Sequence, residues 1–158
     1  MTAEQVPCHP ILACARDLET SLKSVSEMPA DYLRARDKEE ALVTLARVKA
    51  ETAELELRLL AKAVDVAEEH AARDAGTWLA HATRVTAQAA RADLHLAADL
   101  EAHPLTAAAM RDGSVNQAQA RVIVRAVDKL SDEVDDLTRA RAEKHLIELA
   151  GTHDPRDL

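Results

Sequence analysis

The sequence predicts an all-α protein: a helical bundle with one long central helix and helix–turn–helix-like hairpins in the C-terminal half. Of the 158 residues, 3 are Gly, none is Phe and 1% are aromatic. Strands favour aromatic and β-branched side chains, so strand-forming material is scarce. Strong helix formers dominate instead, and aliphatic residues recur three and four positions apart, as on one face of a helix. A core of Leu, Val, Ile and Ala is expected at this length.

The first element is expected to be a short helix after an irregular lead-in that contains Pro7 and Pro10. Apolar residues from Ile11 to about Val25 follow a helical stripe. A break at Pro29 follows, and Asp31 is the expected N-cap of the next helix. We therefore expect residues 1–30 to form an N-terminal irregular segment and short helix, and residues 31–158 to form a helical domain.

A long helix is predicted from about Tyr32 to Arg73, because neither Gly nor Pro interrupts this stretch. The first part of this helix carries a narrow apolar stripe flanked by charges, on which Leu45, Val48 and Leu55 fall. Two explanations fit the stripe. It pairs with a second copy of the chain in a homodimer, or it packs against the first helix within one domain.

The segment from Thr77 to Ala98 has the spacing of a helix–turn–helix unit. A short helix beginning at Gly76 is followed by a turn at Arg84 and by a helix with Thr86 as N-cap. In such units the second helix enters the major groove and its early residues meet the bases. The early polar residues here include Gln88, Arg91 and His95, and Arg84 would lie near phosphate.

A second unit of the same kind follows a His103–Pro104 break, with Pro104 beginning a short helix that ends at Gly113. Asn116 is expected to cap the next helix, with Gln119 completing a capping box. Ser131 is the expected cap of a last helix that ends near Gly151. The second helix of the unit carries further polar residues, namely Gln117, Gln119, Arg121 and Arg125. They are either nucleic-acid contacts or an ordinary solvated face.

Net charge limits where a polyanion could bind. The chain carries −8, which argues against a nucleic-acid footprint over its whole surface. Residues 76–131 hold six basic and five acidic side chains, so this segment carries +1 and the remainder −9. The middle of the chain is therefore the candidate surface for nucleic acid.

No catalytic, metal-binding or cofactor-binding motif is recognisable. The seven His include no pair spaced for zinc on a helix, and the three Gly form no phosphate loop. Cys8 and Cys14 are expected to be reduced thiols. Neither a secretion signal nor a membrane-spanning run is present, so a cytoplasmic protein without membrane contact is expected.

Several segments together resemble the 13E12 repeat family, also called the DUF222 family. They are Trp78–Ala80, Leu100–Gly113, Val115–Ile123 and Glu143–Leu158, and the resemblance extends from about residue 31. It implies an actinobacterial or phage-derived protein in which this helical region lies N-terminal to an HNH endonuclease domain. Because the family's catalytic histidines belong to that downstream domain, the resemblance places no catalytic residue in these 158.

Two functional hypotheses remain from the sequence. The first is a DNA-associated targeting or assembly module like the N-terminal region of HNH endonucleases, which would bind double-stranded DNA through Arg84, Gln88, Arg91, Gln119, Arg121 and Arg125. The alternative is a helical dimerisation or protein-interaction module without nucleic-acid contact, whose interface would include Leu45, Val48 and Leu55.

Overall fold

The computed structural model describes residues 8–158 and confirms the all-α prediction. Within this range there are eight α-helices, one 3-10 helix at Ala30–Tyr32 and no strand. The α-helices are α1 Pro10–Ser24, α2 Ala35–Leu60, α3 Val64–Glu69, α4 Ala75–Thr83, α5 Ala87–Ala102, α6 Pro104–Arg111, α7 Gln117–Asp128 and α8 Asp136–Ala150.

The chain divides into two compact units, residues 1–39 and residues 40–158. In the first unit, the bounds of α1 agree closely with those of the predicted helix. The His9 side chain caps α1 by accepting a hydrogen bond from the Ile11 amide. None of the described residues of this unit is buried, and Leu22 of α1 is 61% exposed. The amphipathic pattern of α1 therefore forms a helix without forming a core of its own.

The predicted long helix is present but ends at Leu60, before a turn at residues 61–63. The short α3 follows, and it ends in a Schellman motif: the Ala72 amide bonds the Ala67 carbonyl and the Ala71 amide bonds the Glu68 carbonyl. Ala71 takes the left-handed position of that motif with φ 51°, where Gly is usual. The predicted extension to Arg73 was wrong because two turns, at residues 61–63 and after Glu69, interrupt the helix without Gly or Pro.

Helix caps account for most of the correct boundaries. Thr86 accepts a hydrogen bond from the Ala89 amide, and Asn116 forms the predicted capping box with Gln119. Two predicted caps were wrong. Asp31 lies inside the 3-10 helix, and α8 is capped by Asp135 rather than Ser131, because residues 131–135 form an extra turn.

The core lies in the second unit and is aliphatic. Apart from Met110, its fully buried members are small or branched. Helices α4 and α5 approach each other closely at Gly76. A Cβ at Gly76 would lie 3.2 Å from the Ala90 carbonyl oxygen, so the pair of helices relies on glycine there. The largest fully buried side chains are Leu57, Met110, Val115, Ile123 and Val124.

Buried polar groups fasten the helices of this core to one another. The Glu143 carboxylate of α8 accepts hydrogen bonds from the backbone amide and the hydroxyl of Thr106, at 2.8 and 2.7 Å. It thereby caps the N-terminus of α6, for which the side chain of the N-cap residue His103 makes no capping bond. His103 is itself buried, and its Nε2 lies 2.8 Å from Oδ1 of Asp128 in α7. These contacts join α6, α7 and α8 into one body.

Candidate nucleic-acid interface

The α4–α5 hairpin is built by two caps and one left-handed residue. Asp74 caps α4 by accepting hydrogen bonds from the backbone amide and hydroxyl of Thr77, at 2.7 and 2.8 Å. The backbone hydrogen bond, followed by the hydroxyl one, lowers the pKa of Asp74 below its ordinary value of 3.8. Arg84 then ends α4 with φ 60°, and Thr86 starts α5. The turn is therefore short and fixed at both ends.

The outward side of α5 carries Gln88, Arg91 and His95, and these three residues define the α5 outer face. Their spacing of three and four positions places them along one side of the helix. All three are exposed, whereas Ala90 and Ala97 on the opposite side are buried. Asp99, four residues after His95, continues this side of the helix as a half-buried carboxylate.

The arginine at the turn and one arginine of α7 extend this surface. Arg84 and Arg125 are both exposed. Arg125 lines a groove between α5 and α7 that His95 and Asp99 also line. Within residues 8–158, neither of these arginines nor Arg91 forms an ion pair. Four predicted residues, Arg84, Gln88, Arg91 and Arg125, thus offer polar atoms to solvent from the α4–α5 hairpin and the neighbouring α7.

Arg121 is turned toward the protein instead. It is half-buried between α7 and α5, where its guanidinium donates to the Ala92 carbonyl at 2.8 Å and to the Asp93 carboxylate. Gln117 donates to the same Asp93 oxygen at 2.8 Å. Because its charge is paired with Asp93 and both of its terminal nitrogens donate within the protein, Arg121 fastens α7 to α5 and is left out of the surface.

Gln119 is also directed inward, which corrects its prediction as a base-reading residue. It is 6% exposed, and its amide nitrogen donates to the carbonyls of Ala150 and His153 at 2.7 and 2.9 Å. Its amide oxygen accepts from the Asn116 backbone. The side chain therefore has no free group to offer to a base edge, and it holds the end of α8 against the start of α7.

The apolar residues predicted as an interface lie on α2. Leu45 is 50% exposed, and Val48 and Leu55 are half-buried. The core-facing residues of the same helix are Ala50, Glu54, Leu57 and Leu60. On a helix of 3.6 residues per turn, the two sets fall on opposite sides.

Sequence reasoning missed the buried carboxylates. Glu54 is 3% exposed and accepts two hydrogen bonds from the Arg111 guanidinium, at 3.2 and 2.8 Å, which raise the pKa of Arg111 above its ordinary value. A signal was available, because Glu54 lies four residues after Ala50 and three before Leu57 on the core-facing stripe. A charged residue on such a stripe predicts a buried partner.

Across the described part of the chain, no cluster of His, Cys, Asp and Glu has the geometry to hold a metal ion. None of the helices in residues 8–158 combines the length and apolarity needed to cross a bilayer. The surface of exposed arginines and amides is thus the candidate site that the geometry provides.

Comparisons with known proteins give one finding. The family model described as Domain of unknown function (DUF222) matches residues 35–158. Neither the curated proteins nor the solved structures provide a match. Because the model covers more than half of the sequence, including every helix from α2 to α8, the chain belongs to the DUF222 family.

Proposed function

We propose that this chain is a DNA-associated module that contacts double-stranded DNA through Arg84, the α5 outer face and Arg125. The observation that carries the proposal is the α5 outer face, on which an exposed glutamine, arginine and histidine follow one another at helical spacing. Such side chains suit phosphate and base edges, and α5 is the second helix of a helix–turn–helix-like hairpin.

The N-terminus of α5 adds a positive electrostatic potential that favours phosphate binding. The first turn of this 16-residue helix contains no acidic residue. The unpaired amides of a helix N-terminus carry a partial positive charge that attracts anions. Gln88 lies in that first turn, and Arg91 follows one turn later, so both would approach a phosphate backbone from the favourable end of the helix.

The acidic remainder of the molecule supports a restricted contact. With −8 overall, the chain is repelled by DNA in most orientations. A surface of three arginines would then set both the orientation of binding and its dependence on salt. In the wider protein that the family resemblance implies, such a module would bring an HNH nuclease to its target.

The test is fluorescence anisotropy of a labelled duplex titrated with the chain over a series of salt concentrations. Arg91→Ala combined with Arg125→Ala is expected to weaken binding and to reduce the slope of log K against log salt by about two, roughly one for each arginine. Circular dichroism should show an unchanged melt, because both side chains are exposed.

Arg141→Ala is the matched control, since Arg141 is an exposed arginine of α8 without an ion pair in the described residues. It is expected to leave both affinity and salt slope unchanged. Two results would overturn the proposal: an absence of binding at low salt, or equal losses for the control and the double variant.

A further inference from the structure

The outward side of α2 carries a two-stranded coiled-coil pattern. Five residues recur at alternating spacings of three and four, and they define the α2 seam: Leu45, Val48, Thr52, Leu55 and Leu59. In a heptad labelled abcdefg, Leu45, Thr52 and Leu59 occupy a positions. Val48 and Leu55 occupy d positions. Leu45 and Leu59 are 50% and 48% exposed, although both lie in a helix whose opposite side is packed into the core.

The one polar member of the α2 seam fits an apolar contact. The Thr52 hydroxyl donates to the Val48 carbonyl at 2.6 Å within the same helix. The Thr52 hydroxyl is therefore already hydrogen-bonded in the single chain, and the Thr52 methyl group is available for packing against a second helix. The α2 seam is thus a continuous strip that a second helix can cover without burying an unsatisfied group.

We infer that the occupant is a second copy of this chain, whose α2 runs antiparallel to the first. In an antiparallel pair of helices, each a position of one helix lies opposite a d position of the other. Val48 is then opposite Leu59 of the second copy, and Thr52 is opposite Leu55 of the second copy. The inference is independent of the proposed DNA contact, because it involves neither α5 nor Arg125.

Charge complementarity selects the antiparallel direction. In that register, e positions face each other and g positions face each other, so Lys49 lies opposite Glu56 and Glu51 opposite Arg58 of the second copy. Each pair occurs twice by symmetry, and every pair is attractive. A parallel arrangement would instead place Glu51 opposite Glu56, a repulsive pair that also occurs twice.

A cavity at the end of the α2 seam favours the same direction. It measures about 490 Å³ and its walls are largely apolar, including Leu59, Ala63, Val66, Trp78 and Leu79. In the antiparallel register, Leu42 and Leu45 of the second copy lie beyond the Val48–Leu59 pair, toward the C-terminal end of α2 where this cavity lies. Leu42 is 68% exposed in the single chain, and the cavity gives it an apolar environment.

Self-association is tested by analytical ultracentrifugation of the chain over a range of concentrations. The α2 seam is about 21 Å long, at 1.5 Å per residue, so we expect a reversible dimer with a roughly micromolar Kd. Leu45→Ser with Leu55→Ser should weaken it by about a hundredfold or more. Val43→Ser is the matched control, because Val43 is 51% exposed on another side of α2.

Charge reversal separates the two directions. Glu56→Lys places like charges opposite each other in the antiparallel dimer and should weaken it roughly tenfold, whereas it would strengthen a parallel one. Adding Lys49→Glu to Glu56→Lys should restore the antiparallel affinity. Tighter association of the single variant, or failure of the double variant to recover, would overturn the antiparallel assignment.

Trp78 provides a readout at the cavity, as the single Trp of the chain. Its emission should shift to shorter wavelength as concentration rises through the dimer transition, because Leu42 of the second copy would displace water from the ring. Leu42→Ser should abolish the shift. A chain that stays monomeric up to about 1 mM, far above the expected Kd, would overturn the inference altogether.

Discussion

The α4–α5 and α6–α7 hairpins are alike in sequence pattern and different in what their polar residues do. In the first, Gln88 and Arg91 of α5 point to solvent. In the second, Gln119 and Arg121 of α7 donate hydrogen bonds to carbonyl groups of α8 and α5. The difference shows that a capped amphipathic helix becomes a binding surface or a structural joint according to what is packed beside its polar face.

The largest expected effect comes from making the same substitution in both hairpins. Gln119→Leu removes two donors from the Ala150 and His153 carbonyls in a buried site, and should lower the free energy of unfolding by about 2–3 kcal/mol. Gln88→Leu changes an exposed side chain and should stay within about 0.5 kcal/mol. Urea denaturation measures both changes. Equal decreases in the free energy of unfolding would show that the two glutamines have the same structural role, contrary to this prediction.

Substitutions in the turns of the two hairpins, at Gly113 and Arg84, should change the free energy of unfolding by smaller amounts and with opposite signs. Gly113 has φ +77°, and a Cβ there would lie 2.9 Å from Cβ of Arg47, so Gly113→Ala should cost about 2 kcal/mol. Arg84 holds a left-handed conformation with a side chain, so Arg84→Gly should raise the unfolding free energy by about 0.5 kcal/mol. The same variant should weaken DNA binding. Thermal melts check the signs, and a destabilised Arg84→Gly would mean that the turn is held by more than its backbone.

The smallest effect is a pH dependence of stability that, of the two hairpins, arises in the first. Hydrogen bonds from Thr77 lower the pKa of Asp74 in the folded state below 3.8, so its contribution to stability is complete above that pH. It is lost as the pH falls through the lowered folded-state value. Asp74→Asn should therefore flatten the decline of unfolding free energy in this acid range. Asn116, which caps α7, does not titrate, and Asn116→Ala should lower stability without altering the slope.

Local chemistry made several boundaries predictable from the sequence. The caps Thr86 and Asn116, the Pro104 start and the Gly113 stop each depend on residues within a few positions. The end of α3 was missed because Ala71 occupies a conformation that Gly normally marks. The cap of α8 was missed because Ser and Asp both suit an N-cap. The turn that separates Ser131 from Asp135 depends on Arg139 of α8 donating to the Ser131 carbonyl.

The candidate site was less predictable than the fold because burial depends on distant partners. Exposed Arg91 and half-buried Arg121 look equivalent in the sequence, yet Arg121 meets Asp93, which lies 28 residues away. Gln119 meets carbonyls more than 30 residues later. Helical periodicity assigns a residue to a side of its helix but does not state which other helix, if any, covers that side.

The carboxylate that caps α6 has a consequence for how the protein is made. Because Glu143 emerges from the ribosome 37 residues after Thr106, the start of α6 lacks this partner until those residues have been synthesised. The short α6 cannot hold its first turn well by itself. We therefore expect α6, α7 and α8 to assemble together and cooperatively, so that a nascent chain interrupted before Glu143 would expose the aliphatic interior to proteases.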